Sequence, residues 1–135
     1  MRTDSDTSKM AEHRVIAELK SYGIRVYEPV TDNGPADILV ESDEFNRVQV
    51  KHGRWKEEKG VVNVHLVSYI EGGHNKYDED DIDWFAIYCK GTDKVYFVNY
   101  YEAPEQQMNI RENEPDFDSE KINYAEDFEL ENRID

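Results

Sequence analysis

Two carboxylates, one amide and one lysine stand at positions from which their side chains can meet: Glu12, Asp37, Gln49 and Lys51. Asp37 lies near the start of one predicted strand. Gln49 and Lys51 share a face of the next strand, because alternate residues of a strand point to the same side. Pairing of these two strands in a hairpin brings the three side chains together. Glu12 can approach them from a helix that packs on the sheet.

This set of side chains suits the hydrolysis of a phosphodiester bond. Carboxylate and carbonyl oxygens are the ligands of hard cations such as Mg²⁺, and Mn²⁺ accepts the same ligands. The cation polarises the phosphate and lowers the pKa of a bound water molecule. A nearby lysine can orient that water and balance the developing charge. We therefore expect Mg²⁺ or Mn²⁺ as the cofactor of Glu12, Asp37, Gln49 and Lys51.

An amino-terminal helix carries Glu12. Asp6, Thr7 or Ser8 can cap this helix, which is predicted to run to about Tyr22 before Gly23 ends it. At about 100° per residue, an apolar stripe forms on one side of the helix. Glu12 falls inside that stripe, where a carboxylate is costly unless a cation or a hydrogen-bond donor meets it. The stripe consists of Ala11, Val15, Ile16, Leu19 and Tyr22.

The remaining pattern predicts a single α/β domain, with a mixed central β-sheet of about five strands flanked by helices. Residues 51–60 are expected to form an exposed loop, and Gly72-Gly73 with Asp78–Asp83 a mobile one. After Arg111 acids dominate, and we expect loose structure with one terminal helix. The predicted strands are Ile24–Glu28, Ala36–Glu41, Arg47–Lys51, Val61–Tyr69, and a hairpin of Asp83–Cys89 with Lys94–Tyr100 around Gly91.

Basic residues gather around an aromatic residue only after Lys51. There, side chains could grip phosphate and stack on a base, although a plain exposed loop is nearly as good an interpretation. The four histidines show no spacing typical of a metal site and are interpreted as surface or packing residues. The candidate DNA-binding residues are Arg54, Trp55, Lys56 and Lys59, with His74 and Lys76 from the following loop.

The chain has 135 residues and a net charge of −15, from 31 acids against 16 bases. An acidic tail or a nucleic-acid mimic could explain this charge, but the acids interrupt segments with helix and strand periodicity, so we favour a halophilic surface. In molar salt the Debye length falls to about 3 Å, so acidity does not exclude DNA binding. No apolar run reaches bilayer length, and a cytoplasmic protein with Cys89 as a buried, reduced thiol is expected.

With these residues, the sequence resembles the PD-(D/E)XK nucleases. Residues Gly34–Val40 look like the first half of their motif and Val48–Lys51 like the second, while Glu12 matches the helix glutamate of archaeal Holliday junction resolvases. The resemblance covers about residues 7–112. Three later segments resemble a subgroup that includes a homing endonuclease encoded in a group I intron: Asp83–Tyr88, Val95–Val98 and Glu102–Pro104.

The resemblance implies a restriction-endonuclease-like fold and a metal-dependent DNA endonuclease that acts as a homodimer or higher oligomer. We expect exposed aromatic residues of the sheet, such as Tyr96 and Tyr100, to supply the interface. Asp37 would be the central metal ligand, Glu12 a second ligand, Val50 a ligand through its carbonyl, and Lys51 the residue that positions the attacking water. Gln49 departs from the family pattern, which usually has a carboxylate there, although the intron-encoded relatives also have glutamine. Residues 1–112 would form the nuclease domain and residues 113–135 an acidic extension.

Two alternatives remain open. The first is a Holliday junction resolvase with the same chemistry. The second is a DNA-binding module that keeps the nuclease fold but, helped by Gln49, has lost its metal and its activity.

Overall fold

The structure, a computed structural model, describes residues 4–31, 34–70, 73–76, 81–113 and 122–133. Helix α1 spans Asp4–Ser21 and ends as the sequence predicts, at Gly23, whose φ of 75° is left-handed. The Gly23 N–H donates to the carbonyl of Lys20 at 2.9 Å, which satisfies one of the last helical carbonyls. Tyr22 follows the end of the helix and is 45% exposed, so the apolar stripe stops at Leu19.

Within the described residues, seven strands form one mixed sheet and one α-helix packs on it. The expected α/β class is confirmed, with seven strands where about five were predicted and a single α-helix where several were expected. The sheet path is β1-β2-β3-β4-β9; β7 pairs with β3 in parallel, and β8 pairs with β7. The strands are β1 Arg25–Tyr27, β2 Ile38–Glu41, β3 Phe45–Lys56, β4 Val61–His65, β5 Val67–Ile70, β6 Gly73–Lys76, β7 Trp84–Cys89, β8 Lys94–Asn99 and β9 Gln107–Arg111.

Strand β3 continues to Lys56, so the prediction of an exposed loop was wrong for residues 51–56, while residues 57–60 form a turn. Its last residues, Arg54–Lys56, pair with Val61–Asn63 of β4. Gly53 allows this continuation, because a Cβ at this position would lie 2.5 Å from Cγ1 of Val62. A glycine in a basic segment is typical of a loop in the sequence, but this glycine is buried where two strands pack closely.

Two cores lie on opposite faces of the sheet. On one face, Ala11, Val15 and Leu19 of α1 pack against residues such as Val48 and Val50 of β3. On the other face, β4 and β9 fold over β7 and β8. That second core includes Val62, Val64, Phe85, Ile87, Cys89, Tyr96, Val98, Met108 and Ile110.

Three smaller expectations changed. Gly73–Lys76 is strand β6, paired with β5, and not part of a loop; Glu71, Gly72 and residues 77–80 of the predicted loop lie outside the described residues. Tyr96, expected as an exposed interface aromatic, is fully buried. The predicted terminal helix is replaced by two short 3-10 helices, Ala125–Phe128 and Leu130–Asn132.

The acidic carboxyl-terminal segment contributes to both cores. Ala125 and Phe128 pack in the core under β4 and β9, and Leu130 packs in the core under α1. The division of the chain at residue 112 stays a prediction. Cys89 is buried and is a free thiol, as predicted.

Candidate active site

Asp37 is held against β3 by two hydrogen bonds on either side of its Cα. Its main-chain N–H donates to the carbonyl of Val48 at 2.9 Å, and its Oδ2 accepts from the N–H of Val50 at 2.8 Å. Ile38 is in register with Val48, so continuing the pairing by one residue places Asp37 opposite Gln49. The short segment before β2 therefore fixes both the main chain and the carboxylate of Asp37.

Glu12 reaches the same place from α1. It lines a small cleft of about 70 Å³ with Asp37, and Pro29, Gly34 and Ala36 form its other walls. Its side chain is 22% exposed, and Lys9, which also lines the cleft, places Nζ 3.6 Å from Glu12 Oε2. The carboxylate inside the apolar stripe of α1 is thus explained, because it faces a cleft and a cation instead of the core.

Electrostatics confirms that these groups act on one another. The pKa of Asp37 is raised from 3.8 to about 6, chiefly by burial and in part by the negative charge of Glu12. The N–H of Val50 and the ammonium groups of Lys51 and Lys9 lower the pKa of Asp37 but do not cancel the effect of burial. Two carboxylates share a poorly hydrated space, an arrangement that a bound cation would relieve.

Lys51 extends from the face of β3 that looks away from α1. Its Nζ donates to the main-chain carbonyl of Val67, the first residue of β5, at 3.1 Å. Burial lowers the pKa of Lys51, and the charge of Asp37 raises it in turn. The ammonium is therefore placed between the Asp37 carboxylate and the β5 main chain.

Gln49 lies on the same strand face as Lys51, and its Nε2 donates to the carbonyl of Val50 at 3.3 Å. The carbonyl that the family resemblance assigns to the metal is thus in contact with the residue that departs from the family pattern. A Gln49 side chain that contributed its own oxygen to a cation would have to rotate away from this contact.

The candidate DNA-binding residues separate into different positions. Arg54 and Lys56 are exposed on β3, and Lys59 is exposed in the turn that follows. Trp55 points to the opposite side of β3 and packs against the core under β4 and β9. The side chains of His74 and Lys76 lie outside the part of the chain that the structure describes.

One pair that supports the site was missed from the sequence. Oδ2 of Asp83 accepts from the main-chain N–H of Arg47 at 2.8 Å and from its Nε at 3.1 Å, and Oδ1 accepts from Nη2 at 3.1 Å. The Arg47 guanidinium holds the pKa of Asp83 below its usual range. This clamp joins β3 to the start of β7, two residues before Gln49. The sequence places Asp83 where an acidic loop meets a strand, and nothing in it pairs Asp83 with a residue 36 positions away.

A metal centre would need several ligating side chains close together. Within the described residues, no three His, Cys, Asp or Glu side chains come together as a metal site. The carboxylates of Glu12 and Asp37 form a pair, so any further oxygen ligand here would come from an amide or from the main chain.

The chain matches the PD-(D/E)XK endonuclease family over residues 2–131, and it belongs to that family. The resemblance proposed from the sequence is therefore confirmed, and the family generally uses divalent metals.

Among solved structures, the fold is similar to that of a bacterial homing endonuclease, I-Ssp6803I. The TM-score is 0.78 at 14% sequence identity, and the match covers 96% of this chain and 90% of the other. At this identity the likeness concerns the fold. Comparison with curated proteins gave no match. In the described part of the chain, no helix has the length and apolar character needed to cross a membrane.

Proposed function

We propose that the protein is a metal-dependent DNA endonuclease that hydrolyses phosphodiester bonds. The observation that carries this proposal is that Glu12 and Asp37 share one cleft, while the charge of Lys51 acts on Asp37 from β3. A carboxylate pair beside a lysine suits phosphate chemistry and contributes little to stability. Burying them costs free energy, since burial raises the pKa of Asp37 and lowers that of Lys51.

The donor set fits a hard divalent cation. Asp37 and Glu12 would hold Mg²⁺ or Mn²⁺, with the carbonyl of Val50 as a neutral oxygen ligand and Gln49 as a further one. When bound, the cation supplies polarisation of the phosphate and a lowered pKa of water. Two carboxylates match the charge of a divalent ion, and the raised pKa of Asp37 indicates an unsatisfied negative charge at the same place.

Lys51 would do the work that does not depend on the cation. Its ammonium lies near the Asp37 carboxylate and is anchored through the Val67 carbonyl, so it is held at one position instead of sampling many. From there it can orient the attacking water and balance the negative charge that develops on the phosphate.

Two properties of the working enzyme form part of the proposal. A net charge of −15 supports a protein adapted to concentrated salt, where self-repulsion and repulsion from DNA are both screened. Two active sites, one for each strand, would cut both strands of a duplex in one binding event, and we therefore propose a homodimer. Sedimentation of the protein with and without duplex DNA in concentrated KCl measures the oligomeric state.

A plasmid assay tests the activity. Supercoiled plasmid is incubated in concentrated KCl with wild-type protein, with Asp37→Ala and with Lys51→Ala, each with Mg²⁺, with Mn²⁺ and with a chelator. We expect nicking and linearisation by the wild type with either cation and by neither variant. Wild-type protein that binds plasmid but leaves it uncut with both cations would favour the non-catalytic module. A four-way junction cut in preference to linear duplex would favour the resolvase.

A further inference from the structure

The end of β3, together with β4 and β9, forms a three-stranded antiparallel sheet with one face covered and one face open. Trp55, Val62 and Ile110 are in register with one another and pack in the core. The residues that alternate with them point to the other side. This outer face of β3, β4 and β9 consists of Arg54, Lys56, Asn63, His65, Gln107, Asn109 and Arg111, together with Val61, which is buried.

The outer face differs from the rest of the molecule in charge. None of its positions is Asp or Glu, although 31 of the 135 residues of the chain are acidic. It carries three cations instead, Arg54, Lys56 and Arg111, and the first two are exposed. A face free of acids and rich in cations, on a chain of net charge −15, is complementary to a polyanion.

Three amides occupy the middle of the outer face. Nδ2 of Asn63 donates to Oε1 of Gln107 at 3.1 Å and to Oδ1 of Asn109 at 2.9 Å. The opposite ends of these amides are two NH₂ donors and one acceptor oxygen. These donor and acceptor ends match groups on base edges, and a β-ribbon can enter the major groove, where every base pair has its own pattern of donors and acceptors.

The outer face is also connected to the candidate active site. His65 ends β4 and is exposed, and two residues later the carbonyl of Val67 accepts the hydrogen bond of Lys51. The same stretch of main chain thus carries one end of the outer face and anchors the lysine.

We propose that the outer face of β3, β4 and β9 reads the sequence of duplex DNA in the major groove. Asn63, Gln107 and Asn109 contact base edges, and Arg54 and Lys56 contact phosphates. This inference rests on the proposed DNA endonuclease function and adds the surface that chooses the cleavage site.

The test uses binding without cleavage. All proteins carry Lys51→Ala, so that bound DNA is not cut, and are mixed with a pool of duplexes that have a randomised central segment. Asn109→Asp keeps the oxygen that accepts from Asn63 but replaces the NH₂ donor with a negative charge. Asn99→Asp is the matched control, because its Oδ1 also accepts a hydrogen bond, from the Tyr101 N–H at 2.9 Å, and lies at the far end of β8.

We expect Asn109→Asp to weaken binding at least about tenfold, the usual effect of a lost base contact. Asn109→Ala should remove the preference at one position of the selected sequence. Asn99→Asp should bind as the Lys51→Ala parent does. Arg54→Gln should weaken binding to all sequences and reduce the salt dependence by about one phosphate contact, whereas Arg25→Gln on β1 should not.

The outcomes separate this inference from the function on which it rests. If the Lys51→Ala parent binds duplexes with a sequence preference that Asn109→Asp and Asn109→Ala both leave unchanged, that result overturns the proposed role of the outer face alone. A parent that binds no duplex, beside a wild type that cuts no plasmid, overturns both proposals.

Discussion

Oδ2 of Asp37 accepts a hydrogen bond from the main-chain N–H of Val50 at 2.8 Å, so the carboxylate is locked to the residue whose carbonyl contacts Gln49. The consequence is that a candidate ligand and the strand bearing Gln49 and Lys51 cannot move independently. A cation bound by Asp37 would sit at a fixed distance from β3, as transition-state positioning requires.

The charge of Asp37 should destabilise the metal-free protein. Its pKa is raised from 3.8 to about 6, so the folded state binds its proton more tightly than the unfolded state. Stability from this group is complete below the unfolded pKa and is lost as the pH rises through the folded pKa. Asp37→Asn should therefore gain about 1 to 3 kcal/mol at neutral pH in chelator, and no advantage below about pH 4.

Urea melts of wild type and Asp37→Asn over a pH series measure this difference. Asp43→Asn, at an exposed position, is the control and should change little. A constant gap between wild type and Asp37→Asn at all pH values would contradict the burial argument. Addition of Mn²⁺ should then stabilise the wild type more than the variant.

Lys51→Ala should lower the rate of plasmid cleavage by about 10² to 10⁴, because it removes the ammonium group that orients water and balances charge. The fold should persist, since burial of the ammonium is itself unfavourable. Lys90→Ala removes an exposed lysine from the β7–β8 turn and should cleave normally. Cleavage by Lys51→Ala within tenfold of the wild type would disprove its role.

Gln49 should respond differently to an acidic and an apolar substitution. Gln49→Glu places a carboxylate at the same length of side chain and should tighten Mn²⁺ binding while keeping measurable cleavage. Gln49→Leu removes the oxygen and should lose both. Calorimetric titration with Mn²⁺ beside cleavage rates decides the matter, and wild-type behaviour of Gln49→Leu would make Gln49 an ordinary strand residue.

The clamp between Arg47 and Asp83 should stabilise the parallel pairing of β3 with β7. The pKa of Asp83 is lowered, chiefly by its hydrogen bond to Arg47, so its contribution is present above the unfolded pKa and is lost as the pH falls through the folded pKa. Both side chains are about a third exposed, with 38% for Arg47 and 33% for Asp83, so water screens much of the charge. Asp83→Asn should cost about 1 kcal/mol at neutral pH.

The same melts at acid pH provide the comparison. The difference between wild type and Asp83→Asn should shrink as Asp83 becomes protonated in the wild type. An unchanged difference would mean that the amide fails for a reason other than charge.

Salt should raise the melting temperature over a KCl series. At a net charge of −15 the folded chain repels itself, and shortening of the Debye length to about 3 Å in molar salt reduces that repulsion. A stability maximum at low salt would remove the halophilic interpretation.

Local sequence determined much of the frame. Gly23 ends α1 because its φ of 75° favours glycine; alternating burial marks β2, and continuous apolar runs mark β7 and β8. The family resemblance was carried by residues close together in sequence, around Asp37 and Lys51, so it too could be read without a structure.

Contacts between distant segments were decided by the tertiary structure. Gly53 was predicted to lie in a loop but is a strand residue. Glycine is needed there because Val62 occupies the space that a side chain at position 53 would take. Asp83 meets Arg47, and Lys51 meets Val67, only after the parallel crossover and the fold of β4 over β7 are in place.

The sequence alone thus determined which residues could do chemistry, through side-chain type and short-range period. Which of them share an environment depended on the tertiary structure. The pKa of Asp37 reflects desolvation and the charge of Glu12 on another element, and both are properties of packing that no local pattern encodes. The acid-free outer face likewise exists only because strand pairing aligns Arg54 with Asn63 and Asn63 with Asn109.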